Sequence, residues 1–295
     1  MITKAIITAA GFGSRFLPIT KTFPKEMLPI IDKPIIQYLV EECADAGIEE
    51  VIIVASPGEV SKFEDYFYGS ATNIRTLMIR QGKLDRWGKV EKLFKLPQIT
   101  IVPQDDRLPY GNGRPVLSVK DLVLDQEAFV VMFGDDMFLS EISAVKQLVD
   151  YYNQNPCDLL MGVTQAPKSL LIQGGVIKIK EGTTNQVAHV KEKPTLEELE
   201  SDPTFTNLYS FGRFIATPKI FDYLTEDATG MDNEIWLQDA NNKVAETGNA
   251  LYLTLDGEFY TTGDPIRYMK AHIKYMLAND KYKDELNEFL KLVVD

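Results

Sequence analysis

Short apolar runs alternate with amphipathic stretches through the first half of the chain. Ala5-Ile6-Ile7 and Val51-Ile52-Ile53-Val54 have the length and continuity of buried strands. Between them Ile35, Ile36, Leu39 and Val40 fall at helical spacing behind Pro34, which suits a first helical turn, and Gly47 offers a stop. Residues 58–68 predict a second helix ending near Gly69, and residues 70–97, mixed in charge, predict helix with a variable loop. Ile99-Thr100-Ile101-Val102 and Ala128 to Phe133 predict two more strands, followed by a helix over 140–154. Strands alternating with helices predict an α/β fold built on a parallel sheet, which binds ligands beyond the C-terminal ends of its strands.

The rhythm changes after Asp158 to Val163, one further sheet strand. Gly174 to Ile179 alternates, turns at Glu181-Gly182 and returns over Val187 to Val190 toward Glu192-Lys193-Pro194, as a hairpin does. Asn207 to Ala216 predicts a strand containing Gly212-Arg213. Leu251–Leu255 and Phe259-Tyr260 predict a closing hairpin around Asp256-Gly257. Residues 265–292 predict two helices, with Ile266, Met269, Ile273 and Met276 and then Leu286, Phe289, Leu290 and Val293 as core-packing stripes.

Composition narrows the function. A chain of 295 residues, 45% hydrophobic and 25% charged, can bury the core of one large domain. Its net charge of −12 opposes binding to nucleic acid or to anionic membranes. Cys43, in a helix, and Cys157, at a strand start, read as buried thiols, and no zinc-type spacing occurs. The N-terminus lacks a signal-type apolar region and no apolar run reaches 18 residues, so a cytoplasmic protein is expected. His189 and His272 stand apart in the sequence and read as structural.

An acidic chain that binds an anion must gather its cations locally, and one stretch does so. Ala9-Ala10-Gly11-Phe12-Gly13-Ser14-Arg15 follows the first strand, and Lys21 and Lys25 lie just beyond. Gly11 and Gly13 permit a tight turn whose N–H groups can form an anion-binding concavity. The turn is neither a dinucleotide fingerprint, because Phe16 stands where a third glycine belongs, nor a P-loop, because no Gly-Lys-Ser/Thr occurs. A seat for a polyphosphate is the reading that remains. Gly134-Asp135-Asp136 closes the strongest strand, a place from which a carboxylate can hold a hard cation over phosphates.

Lys25-Glu26-Met27-Leu28-Pro29, followed by Asp32-Lys33-Pro34-Ile35-Ile36-Gln37-Tyr38, resembles the signature of sugar-1-phosphate nucleotidyltransferases, in particular of bacterial members that use UTP and glucose 1-phosphate. The resemblance implies one nucleotidyltransferase domain: a Rossmann-like mixed, mostly parallel sheet flanked by helices, with a small β-hairpin sugar-binding subdomain. Residues 1–165 would form the nucleotide-binding core, 166–262 the sugar-phosphate part and 263–295 the C-terminal helices. It implies catalytic roles for Arg15 and Lys25, and nucleotide contacts from Ala10, Gly11, Gly13, Glu26, Gln104, Gly111 and Asp135. Gly175, Glu192 and Lys193 would bind the sugar phosphate. Mg²⁺ would sit on Asp135, with Asp136 as its neighbour. Where the family carries a second metal-binding acid this chain has Thr261, so either Asp264 replaces it or that ligand is absent. Gly111-Asn112-Gly113-Arg114-Pro115 and Asn233, which opens a helix over 233–240 in the family, also depart from the family pattern. These departures leave open a regulatory paralogue that binds nucleotide sugars without turnover. Because the uridylyl reading rests on the Lys25 to Pro34 segment more than on pocket chemistry, a transferase of thymidylyl or cytidylyl groups to a related sugar 1-phosphate is the other alternative. The resemblance further implies a homodimer or homotetramer acting on small molecules.

Overall fold

The computed structural model describes residues 1–294. Its principal strands and helices are β1 (Lys4–Ala9), α1 (Ile35–Asp45), β2 (Glu50–Ala55), α2 (Val60–Tyr68), α3 (Thr72–Arg80), β3 (Gln98–Pro103) and α4 (Arg114–Ser118). Then come β4 (Phe129–Phe133), β5 (Asp136–Leu139), α5 (Ala144–Gln154), β6 (Leu159–Gln165), β7 (Gly175–Ile179), β8 (Val187–Glu192) and β9 (Phe205–Ala216). The chain closes with α6 (Leu237–Thr247), β10 (Ala250–Thr254), β11 (Glu258–Thr261), α7 (Pro265–Leu277) and α8 (Lys283–Val294).

Nine strands form the central sheet, and the described path runs β8-β7-β9-β4-β1-β2-β3, with β6 on β9 and β10 on β6. β1 lies parallel between β4 and β2, with Ile6 opposite Val131 and Ile52. Ile7, Val130, Met132 and Ile53 pack on one face with α1 and α5, while Ile6, Val131, Ile52 and Val54 enter the core on the other. Burial on both faces explains why these strands read as unbroken apolar runs instead of alternating ones. Only β8 and β9 run against the other seven strands, since every remaining pairing is parallel or antiparallel to one of these two.

β9 governs the shape of the molecule beyond the nucleotide half. Tyr209 pairs with Thr164 of β6 and Val176 of β7, whereas Ala216 pairs with Leu159 of β6 and Phe129 of β4. One edge of β9 is thus shared in turn by β7 and β4, and the register against β6 shifts between Ser210 and Phe214. The split leaves room beside Gly212, at the C-terminal end of β4.

Four expectations need correction. Leu251–Leu255 and Phe259-Tyr260 do not form a hairpin: β10 joins the main sheet parallel to β6, and β11 crosses to pair antiparallel with β5. Asp256-Gly257 is therefore a connection between two sheets. The helix expected over 233–240 begins only at Leu237, because Asp232 and Asn233 adopt positive φ and the chain to Trp236 is not helical. β5 precedes α5, which starts at Ala144 and not at residue 140. The stripes of α7 and α8 are only partly core, since Ile266, Met269, Phe289 and Val293 are exposed. What holds α7 is aromatic: the Tyr268 hydroxyl donates to the Pro29 carbonyl, Tyr275 meets Tyr38 edge-on, and His272 accepts from the Ile31 N–H at 3.3 Å. Cys43 and Cys157 are buried free thiols.

Candidate active site

β1 delivers the chain to the turn at Ala10–Gly13. Gly13 has φ 58°, and its carbonyl accepts a hydrogen bond from the Thr20 hydroxyl at 2.8 Å. Three short 3₁₀ turns follow, Ser14–Phe16, Ile19–Lys21 and Lys25–Met27, where a dinucleotide fold would place a long helix. Cation delivery therefore falls to side chains on the irregular segment instead of to a helix N-terminus.

Lys25 reaches back under the turn and places Nζ 2.5 Å from Asp135 Oδ2 and 3.8 Å from Glu26 Oε1. Burial alone would lower its pKa, but the carboxylates of Asp135 and Glu26 outweigh burial and raise it, so the ammonium stays charged. The opposing balance acts on Asp135: burial would raise it, and Lys25 pulls it below the usual carboxylate range. Glu26 is 1% exposed, and burial drives it up to about 7 against the pull of Lys25. Its Oε2 has no hydrogen-bond partner among the described residues.

Asp135 lies in the turn between β4 and β5 and Asp136 opens β5, and the two face different spaces. Asp135 lines a cavity of about 190 Å³ with Ala10, Gly11, Lys25, Glu26, Gln104 and Gly111. Asp136 lines a second cavity, of about 200 Å³, with Gly175, Glu192, Tyr209, Gly212 and the start of α6. Phe133 and Asn112 belong to both walls, so the two cavities adjoin at the end of β4. Asp136 accepts from the Gly212 N–H at 2.9 Å and bonds the Thr261 side chain. Burial, and after it the neighbouring Asp135, raises its pKa to about 6. Asp136 thereby ties the start of β5 to β9 beside the split in the sheet.

The first cavity brings together most of the residues expected to meet a nucleotide. Gln104 is buried in its wall and donates to Asp106 at 3.1 Å. Gly111 has φ 136°, and a Cβ there would lie 2.2 Å from the Ile235 carbonyl oxygen. The loop is stitched to Ile235 on both sides, Ile235 N–H to Tyr110 O at 2.7 Å and Gly113 N–H to Ile235 O at 2.9 Å. Arg114-Pro115 opens α4, where proline costs no helical hydrogen bond. Near this cavity Phe12 and Tyr110 stack with centroids 5.9 Å apart and planes 7° from parallel.

The second cavity gathers Gly175 and Glu192 on facing strands, registered opposite each other in the hairpin. Lys193 follows with φ 47°, fixed by its N–H to Gly174 O at 2.9 Å, but its side chain is exposed and does not line the cavity wall. Arg15 is likewise exposed, with a guanidinium nitrogen 4.0 Å from Asp264 Oδ2. Asp264 is already engaged: it caps α7 by accepting from the Arg267 N–H at 3.0 Å and pairs with Arg267 Nε at 3.2 Å.

A hard divalent cation fits this donor set in part. A Cβ on Gly263 would come within 3.2 Å of Asp135 Oδ2, so Asp135 abuts the residue before Asp264. Asp135 on the open first cavity can offer a carboxylate to a cation that takes its other ligands from phosphate oxygens and water, whereas Asp264 does not line that cavity. Asp136 is turned away toward Gly212.

Beneath both cavities lies a pair that sequence reasoning did not find. Arg213 is wholly buried and pairs through Nε with Glu42 Oε1 at 3.1 Å. Its other nitrogens donate to the carbonyls of Asp136 at 2.6 Å, Gly212 at 2.8 Å and Phe133 at 3.4 Å. Those of Phe133 and Asp136 bracket the Gly134-Asp135 turn. Glu42 and Arg213 are 171 positions apart, and no local pattern links them.

A family model described as Nucleotidyl transferase matches residues 4–277. The UTP–glucose-1-phosphate uridylyltransferase of Staphylococcus haemolyticus is 39% identical over 292 residues, covering 98% of each chain. That of Staphylococcus epidermidis is 37% identical with the same coverage. Among solved structures, a UDP-glucose pyrophosphorylase complexed with UDP-glucose superposes with TM-score 0.78 at 32% identity, over 95% of this chain and 100% of that one. A UTP-bound enzyme of the same kind from Acinetobacter baumannii gives TM-score 0.84 at 27% identity, over 100% of this chain and 99% of that one.

Proposed function

The chain belongs to the nucleotidyl transferase family, and from that premise we propose that it transfers a uridylyl group from UTP to α-D-glucose 1-phosphate, releasing pyrophosphate and forming UDP-glucose. The observation that carries the reading is Lys25 against Asp135, 2.5 Å apart in the first of two cavities that adjoin at Phe133 and Asn112. One cavity then takes the nucleotide and the other the sugar phosphate. Residues 1–165 carry the first role and 166–262 most of the second, although β7 to β10 of that second part belong to the common sheet.

Two anions must meet in line at the α-phosphorus, so the chemistry is charge neutralisation and positioning. The nucleophile, a phosphate with second pKa about 6, is ionised at neutral pH and needs no general base. Lys25, on a flexible stem, turns from Asp135 to an α-phosphate oxygen. Arg15, exposed beside the turn, offsets charge on the departing pyrophosphate. Gly11 and Gly13 let backbone N–H groups approach the phosphates. Gln104 offers a carboxamide, one donor and one acceptor, to the imide edge of uracil, and Gly111 keeps the wall thin there. Glu192 accepts from sugar hydroxyls beside Gly175, and Lys193 swings over the hairpin end to the sugar phosphate. Asp135, and Asp264 once released from Arg267, would hold Mg²⁺. Enzymes of this family generally use a divalent metal, which supplies charge neutralisation across both substrates. The exposed apolar residues of α7 and α8 suit the contact of a homodimer or homotetramer.

Pyrophosphate release from UTP and glucose 1-phosphate with Mg²⁺ tests the reading. Release should be strong with UTP and weak with dTTP, CTP or ATP. A protein that binds UDP-glucose in a calorimeter yet releases no pyrophosphate would instead be a regulatory paralogue.

A further inference from the structure

Asn241 sits in α6, 3% exposed, in the wall of the second cavity. Its Oδ1 is buried and has no hydrogen-bond partner among the described residues. Buried amide oxygens are almost always paired, because desolvation without a partner is costly. An orphan in a packed apolar core would be a defect, but this one borders an open, polar cavity.

The next residue makes the contrast. Asn242 uses both ends of its amide on the hairpin, accepting from the Val190 N–H at 2.8 Å and donating to the Val190 carbonyl at 3.1 Å. Gln238 also donates to it at 3.2 Å. α6 is therefore fastened to β8 two residues before Glu192. The start of α6 is fixed as well, since Asn112 Oδ1 accepts from the Leu237 N–H at 2.8 Å. One asparagine anchors the helix, and the one beside it is held at the cavity with its amide oxygen unpaired.

We propose that Asn241 is a specificity-determining residue that hydrogen-bonds a ring or C6 hydroxyl of the bound hexose phosphate. A hydroxyl both donates and accepts, and a carboxamide complements it whichever way the amide is turned. With Glu192 reading the sugar from the hairpin, Asn241 reads it from α6, and the rigid anchorage of α6 sets the distance between them. The inference rests on the second cavity being the sugar-phosphate site.

The test compares wild type, Asn241→Leu and Asn241→Asp on glucose 1-phosphate and its 2-, 3-, 4- and 6-deoxy analogues, at saturating UTP. Asn241→Leu should raise KM for glucose 1-phosphate about tenfold, the value of one hydrogen bond, and leave KM for UTP within about twofold. For one deoxy analogue the penalty should vanish, since the partner hydroxyl is already gone. Asn241→Asp, which keeps the acceptor, should retain most of the affinity. The thermal midpoint of Asn241→Leu should hold or rise, because an unpaired buried amide has been removed. An equal penalty for every sugar, or no penalty, overturns the assignment. Should wild type release no pyrophosphate from UTP and glucose 1-phosphate, the transfer reading fails separately. Calorimetric titration with UDP-glucose and its deoxy analogues then carries the same comparison, with the same two outcomes.

Discussion

The two cavities are close in size and meet at Phe133 and Asn112, yet they are assembled in opposite ways. The first draws its charged floor largely from one short segment: Ala10, Gly11, Lys25 and Glu26 lie within 17 residues, and Asp135 joins them from the neighbouring strand. The second is collected from Asp136, Gly175, Glu192, Gly212 and Asn241, spread over more than a hundred residues on five elements. A phosphate seat needs concentrated charge and close backbone, which a glycine turn with a lysine supplies locally. A sugar seat needs hydroxyl partners at set distances around a ring, which only a surrounding wall supplies. The first should be sensitive to single charges, and the second to the framework.

The sharpest way to break that comparison is at the pair beneath both cavities. Arg213→Met leaves Glu42 buried without its partner and frees the carbonyls around Asp135. It should cost about 3–5 kcal/mol of stability in urea unfolding. Arg213→Met combined with Glu42→Leu should recover part of the loss; full additivity would mean that the two side chains act separately. Next in size, Asp135→Ala should lower pyrophosphate release on the order of 10²–10³-fold. KM for glucose 1-phosphate should move far less, because Asp135 faces the first cavity.

Glu26 sharpens the comparison through pH. Its folded pKa, about 7, lies above its ordinary value, so the fold prefers the protonated form. That contribution to stability is fully present below the unfolded pKa and is lost as pH rises through the folded one. Unfolding free energy should therefore fall between about pH 4.5 and 7, by at most roughly 3 kcal/mol, and Glu26→Gln should flatten the slope. An unchanged slope would show that Glu26 is solvated in the folded protein. The smallest effect is expected at Lys193, exposed at the hairpin end. Lys193→Ala should raise KM for glucose 1-phosphate about tenfold, a single charge-assisted contact, without changing stability. A change in KM for UTP alone would place that lysine on the wrong substrate.

The division between what could and could not be read follows the same line. The sequence by itself determined the α/β alternation, because strands buried on both faces leave continuous apolar runs that need no partner to be recognised. The grouping of Gly11, Gly13, Arg15 and Lys25 was legible as well, because it lies within one contiguous segment, and Gly11 and Lys25 line the first cavity. The resemblance carried by Lys25 to Tyr38 extended this to Gly175 and Glu192, and both line the second cavity. Only the tertiary structure decided how Asp135 and Asp136 divide their work, for Lys25 holds the first, in the turn after β4, and Gly212 claims the second, at the start of β5. It likewise decided that β11 leaves β10 for β5, since pairing at a sheet's edge depends on which strand is already unpaired there. Glu42 with Arg213, and the free amide of Asn241 beside the bound one of Asn242, are choices of the same kind. Each is a hydrogen bond made or withheld between distant segments, and local sequence carries no trace of a partner that only folding brings near.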